Sequence, residues 1–178
     1  MNFLSKIDLD GIEFSLVKQN FNCNRIENVR EEIYKEFDHI GAKGMITSGM
    51  KIGVTAGSRG IINIDTIVKT ICDYIKEAGG NPFIIPAMGS HGGATAEGQQ
   101  HVLDTLGITE ESMGCPIESS LEVVQLGSTE SGVPVYFDKY AYSLDGIVVV
   151  NRVKPHTDFD SDIESGLTKM IAVGLGNQ

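Results

Sequence analysis

Three short runs, residues 51–55, 83–87 and 146–150, are largely apolar on consecutive rather than alternate positions. A strand with one wet face alternates, so runs of this kind predict strands covered on both faces, as in a parallel sheet clothed by helices. Helical patterns lie between them. Ile64, Ile67, Val68, Ile71, Tyr74 and Ile75 recur at helical spacing, with Asn63 as the expected N-cap and Gly79-Gly80 as the stop. A second helix opens at Thr95 or Ala96, carries Val102, Leu103 and Leu106, and ends at Gly107. Ile26, Val29, Ile33, Tyr34 and Phe37 mark another over residues 24–37.

Two further strand-like runs, 121–126 and 133–137, are joined by a turn through Gly127, Ser128 and Gly132, and weak alternation in residues 1–22 suggests edge strands. The expected fold is α/β: one Rossmann-like domain over residues 1–178, with an open, mostly parallel sheet and helices on both faces. The chain stops at Leu175-Gly176-Asn177-Gln178 directly after a helical pattern and without a polar tail, which reads as a fragment of something longer.

The charge balance narrows the function. With 24 acidic and 14 basic residues and a net charge of −10, the chain lacks the basic footprint of a nucleic-acid or anionic-membrane binder, and an anionic ligand would need local cations. Cys23, Cys72 and Cys115 show no paired spacing, so neither a disulfide framework nor a structural zinc site is expected. The N-terminus has no signal-peptide pattern and no apolar stretch is long enough to span a bilayer, so a cytoplasmic protein is expected.

Ligands of open parallel sheets sit beyond the carboxyl ends of the strands. Three loops leave such ends here and carry Arg59, His91 and His156. Arg59 alone reads equally as a surface cation, and a histidine in a glycine-rich loop can simply bond its own backbone. Their convergence is what suggests a site, and Gly89, Gly92 and Gly93 would let a ligand approach the backbone. The turn through Gly57, Ser58 and Arg59 supplies amides, a hydroxyl and a guanidinium that could hold one phosphate or carboxylate of a cofactor or ligand.

Lys169 falls on the helix side opposite Leu167, Met170, Ile171 and Gly174, hence away from the core. His39 and His101 read as solvated. His91 and His156 lack a metal-binding spacing, so no metal site is assigned to this chain, and a general acid/base pair suits them better. One of Asp158, Asp160 and Asp162 could orient His156 or cap the next helix.

Together, Ala87-Met88-Gly89-Ser90-His91-Gly92-Gly93, Ser58-Arg59, Lys154-Pro155-His156 and Gly166-Leu167-Thr168-Lys169-Met170 resemble the nickel-dependent lactate racemase family of 2-hydroxyacid racemases and epimerases. The resemblance covers residues 50–178. It implies an isomerase with its active site between two domains and a nickel pincer nucleotide attached covalently through Lys169. It further implies His91 and His156 as the catalytic acid/base pair, with Arg59 binding a small anionic 2-hydroxyacid. The partners it implies are the C-terminal domain and cofactor-delivering proteins, and this portion alone would be inactive. Ala56 stands where the lactate pattern has an acid, and no histidine follows His156, so the nickel-ligating histidine is expected beyond residue 178. A different class of function, a non-catalytic domain binding an anionic nucleotide or carboxylate at Ser58-Arg59, would need no histidine pair. A zinc hydrolase would need a metal bound within this chain.

Overall fold

A computed structural model of the chain describes residues 15–20, 25–58, 60–154 and 165–177. Residues 15–20 carry no strand, and the rest of the edge region expected within residues 1–22 lies outside the described residues. The main sheet has the order β2 (Asn81–Pro86), β1 (Lys51–Ala56), β5 (Gly146–Val148), all parallel. Val54 is paired with Ile84 on one side and with Val148 on the other. On the outer side of β2, Ile84 also exchanges main-chain hydrogen bonds with Pro116 and Glu118.

Both faces of this sheet are covered, as consecutive apolar runs require. On one face Ile52, Val54, Ala56 and Ile84 pack against Val68, Ile71 and Ile75 of α3 (Ile64–Glu77) and Leu103 of α4 (Ala96–Thr105). On the other, Ile85 and Ala87 pack against Ala141, Met170 and Leu175. Side chains such as Ile84 and Ile85 are fully buried, each worth roughly 1.5–3 kcal/mol on transfer from water. Outside α3 lies α1 (Val29–His39), whose Tyr34 and Phe37 meet Tyr74 edge to face at 5.2 and 5.1 Å.

Several boundaries differ from expectation for local reasons. The first helix begins at Val29 because the Asn28 side chain accepts the Glu31 N–H at 3.1 Å and caps it there. Asn63 caps α3 through its carbonyl alone; its own backbone is left-handed, φ 59°, and its side chain makes no cap hydrogen bond. The two middle strands, β3 (Val123–Ser128) and β4 (Pro134–Asp138), form a separate antiparallel sheet rather than joining the parallel one. The turn between them is too short for the crossover that parallel pairing needs. Short helices α2 (Ala42–Met45), α5 (Glu110–Met113) and α6 (Lys139–Tyr142) were not anticipated.

Cys72 and Cys115 are buried free thiols with sulfurs 3.6 Å apart, and that contact together with burial pushes the Cys72 thiol up. Among the described residues no helix is long and apolar enough to cross a membrane.

Asp138 joins the hairpin to the C-terminal segment. Its carboxylate accepts the Ala141 N–H at 2.7 Å and the Asn177 side-chain amide at 2.8 Å, while its own N–H donates to Leu175 O at 2.6 Å. Burial raises its pKa above the ordinary 3.8 despite those donors. The folded chain therefore holds this proton more tightly than the unfolded one. The resulting stabilisation is present below 3.8 and is lost as pH rises through the raised value.

In Asp138→Asn the buried Asn177 Oδ1, which has no partner, can turn to accept from the new amide. The variant is expected to be as stable as wild type at neutral pH within about 1 kcal/mol, with this pH dependence removed. Urea melts across the carboxylate range check it, and an unchanged pH slope would contradict the assignment.

Candidate functional site

The strands of the parallel sheet end at one level. Ala56 is paired with Pro86, and the Ala87 N–H donates to Ala56 O at 2.9 Å. At β5 the ladder stops at Val148, and the next N–H on that side, from Val150, goes to the hydroxyl of Thr55 at 2.9 Å. Thr55 is fully buried, so this side chain stands in for a backbone acceptor and releases residues 149–154 from the sheet edge. Arg152 then donates to Gly60 O at 3.0 Å, tying the loop after β5 to the loop after β1. The result is a cleft of about 550 Å³ at the carboxyl edge.

Its lining includes Ser58, His91, Arg152, Lys154 and Lys169. Among the described residues lining it there is no aspartate or glutamate, although the chain carries ten more acids than bases. Three cations among its described residues, Arg152, Lys154 and Lys169, contribute positive potential where the chain as a whole is negative. Met88, Met170 and Val173 give it an apolar side.

His91 opens a tight turn, His91–Ala94, in which Gly92 and Gly93 are left-handed at φ 67° and 70°. The turn rests on the start of α4 at very close range. A Cβ on Gly92 would lie 2.4 Å from the Gly98 carbonyl carbon, and one on Gly98 would lie 1.7 Å from Gly92 O. Thr95 caps α4 through the Gly98 N–H at 3.0 Å, and the fully buried Gln99 donates to Gly89 O at 2.8 Å. Two of the glycines expected to admit a ligand thus serve close packing within the chain, Gly92 against Gly98 and Gly89 against Val173. Gly93 alone faces open space. The His91 ring is exposed, and its Nδ1 is hydrogen-bonded to the Ser58 hydroxyl.

Lys169 ends α7 (Leu167–Lys169), which continues as a π-helical turn over Met170–Gly174, closed by Leu175 N–H on Met170 O at 3.0 Å. The buried side is Met170 and Gly174. Leu167 and Ile171, expected beside them, are 53% and 46% exposed. A π-turn advances each residue by less than the 100° assumed for an α-helix, which carries Ile171 off the core side. Lys169 lies away from that core side and lines the cleft with Val173.

The structure therefore brings Ser58, His91 and Lys169 to one cleft, with Gly57 packed against Met170 beneath it. Arg59 and His156, with Asp158, Asp160 and Asp162, lie outside the described residues. The turn at 57–60 is not the N-terminal turn of α3, which begins only at Ile64. Its amides therefore do not carry that helix's dipole. His39 and His101 are exposed, as expected. The sequence pattern does not mark Arg152 and Lys154 as cleft residues; two cations just past a half-buried strand of an acidic chain are the available signal. Among the described residues no group of three His, Cys, Asp or Glu is placed to hold a metal ion.

Residues 22–161 match the family model described as the lactate racemase N-terminal domain. No curated protein and no solved structure matches the chain.

Proposed function

Because the chain belongs to the family of lactate racemase N-terminal domains, we propose that it is the acid/base and cofactor-tethering half of a 2-hydroxyacid racemase or epimerase. The observation that carries this reading is the meeting of His91 and Lys169 in one cleft with Ser58, Arg152 and Lys154. A binding module has use for the cations but not for an imidazole that shares their cleft with Lys169.

The donor set suits a pincer nucleotide in its organic part. The Lys169 amine would form the covalent link, and Met88, Met170 and Val173 offer an apolar wall for a pyridinium ring. Arg152 and Lys154 are cations for its anionic groups or for the substrate carboxylate. Among the described residues no group of three His, Cys, Asp or Glu is placed to hold the nickel ion by itself, and a second domain would supply its remaining ligand and close the cleft. When bound, the cofactor supplies a centre that accepts a hydride and returns it to either face of a planar keto acid.

The remaining work falls to side chains of this chain. His91 takes the hydroxyl proton of one enantiomer and His156 that of the other, each returning a proton when the reaction runs backwards. Arg59 and the cleft cations orient the carboxylate and polarise the carbonyl as charge develops on its oxygen.

Intact mass and nickel content after exposure to the activated cofactor test this directly. Wild type is expected to gain one nucleotide mass, and Lys169→Ala to gain none. No adduct on wild type, under conditions that load an authentic lactate racemase, would leave the anion-binding module as the better reading.

A further inference from the structure

We infer that Ser58 is a positioning residue that holds His91 in its Nδ1–H tautomer, so that Nε2 is the single proton-transfer atom in both directions. The inference rests on the acid/base reading of His91 given above, but the geometry behind it does not. Ser58 Oγ reaches His91 Nδ1 across the gap between the loops after β1 and β2. Both loops are fixed from behind. The first is pinned by Arg152 on Gly60 O at 3.0 Å and by Gly57 against Met170, where an added Cβ would lie 3.3 Å from Cε. The second is pinned by Gln99 on Gly89 O at 2.8 Å and by the Gly92–Gly98 contact. The serine and the imidazole thus meet because their backbones are independently held.

A hydroxyl can donate or accept, and the chemistry selects between the two. In a reversible reaction the same histidine must be neutral when it takes a proton and doubly protonated when it gives one. If Ser58 donated to Nδ1, its hydrogen bond would have to be reversed or broken each time the ring became imidazolium, since both ring nitrogens then carry protons. If Ser58 accepts from Nδ1–H, the bond persists in both states. Only Nε2 changes, and it is the nitrogen left free of Ser58. The serine therefore keeps the ring's orientation constant through the cycle while excluding the tautomer that free histidine prefers.

The test needs no turnover. In the isotope-labelled protein, long-range nitrogen–carbon correlations of the His91 ring are recorded at a pH where the ring is neutral. Wild type is expected to show Nδ1 protonated and Nε2 bare. Ser58→Ala should return His91 to the commoner Nε2–H form, and Ser58→Thr, which keeps the hydroxyl, should restore the wild-type pattern. A wild-type ring already in the Nε2–H form, or a tautomer unchanged in Ser58→Ala, overturns the inference. In loaded enzyme, Ser58→Ala should lower kcat about tenfold with KM little changed. If the tautomer is as stated but a His91 variant still racemises normally, the function proposed above fails and with it the proton-transfer role of Nε2, while the hold of Ser58 on the ring stands.

Discussion

His91→Asn removes the proposed proton-transfer atom while keeping a polar side chain, and racemisation is expected to fall by about a thousandfold. The fold should not notice. His91 is exposed and its ring bonds only the Ser58 hydroxyl among the described partners, so unfolding free energy should stay within about 0.5 kcal/mol of wild type. Attachment at Lys169 should be intact, because Lys169 is placed by the Met170–Gly174 turn and not by the His91 loop.

The informative measurement is a single turnover from each enantiomer. The one whose hydroxyl proton belongs to His156 should still give its keto acid in the variant, and the other should not. Equal loss from both would show that His91 binds rather than transfers a proton. Normal turnover of both would remove it from the mechanism.

Gly98→Ala sets two effects against each other. Alanine in a helix is favoured over glycine by roughly 1 kcal/mol. Its Cβ, however, would lie 1.7 Å from Gly92 O, a distance no carbon can occupy. The neighbour is backbone, so the His91–Ala94 turn must lift off α4 by more than an ångström. Overpacking of this kind costs about 1–3 kcal/mol.

The turn itself is largely exposed and can move without opening the core, so net destabilisation should be modest, about 1–2 kcal/mol, and the chain should still fold. Catalysis is where the displacement is felt. An ångström of misplacement in a reacting group costs about a hundredfold, and the Ser58–His91 hydrogen bond should be lost with it. Urea melts beside steady-state rates separate the two effects. Activity within a few-fold of wild type would mean that the Gly92–Gly98 contact does not position His91.

The parts of the fold legible in the sequence are those with a long, regular signal. The stripe from Ile64 to Ile75 places α3, and the consecutive apolar runs place the three parallel strands and their covered faces. The meeting of the loops after those strands follows from parallelism alone. Features set by one atom on another were not legible. Nothing in the pattern says that Thr55 would end the β1–β5 ladder with its hydroxyl, that Met170 would start a π-turn, or that Gly92 is needed by Gly98. The hairpin of β3 and β4 was read as two strands, but apolar content cannot tell which sheet a strand joins. Nor does the pattern mark Arg152 and Lys154, because a cation's meaning depends on what lines the space it enters.

The order β2-β1-β5 also has a temporal consequence. Pairing β1 with β2 joins Lys51 to Asn81 across a local strand–helix–strand unit, whereas pairing β1 with β5 joins Ile52 to Gly146 over roughly three times as much chain. By loop-closure entropy the second event costs about 1 kcal/mol more, and contacts that distant in sequence form slowly. Ser58 and His91, which follow β1 and β2, can therefore be brought together while the Lys169 arm is still unattached. During synthesis, the Ser58–His91 pair would exist as a nascent unit before Lys169, the proposed site of cofactor attachment, has docked beside it.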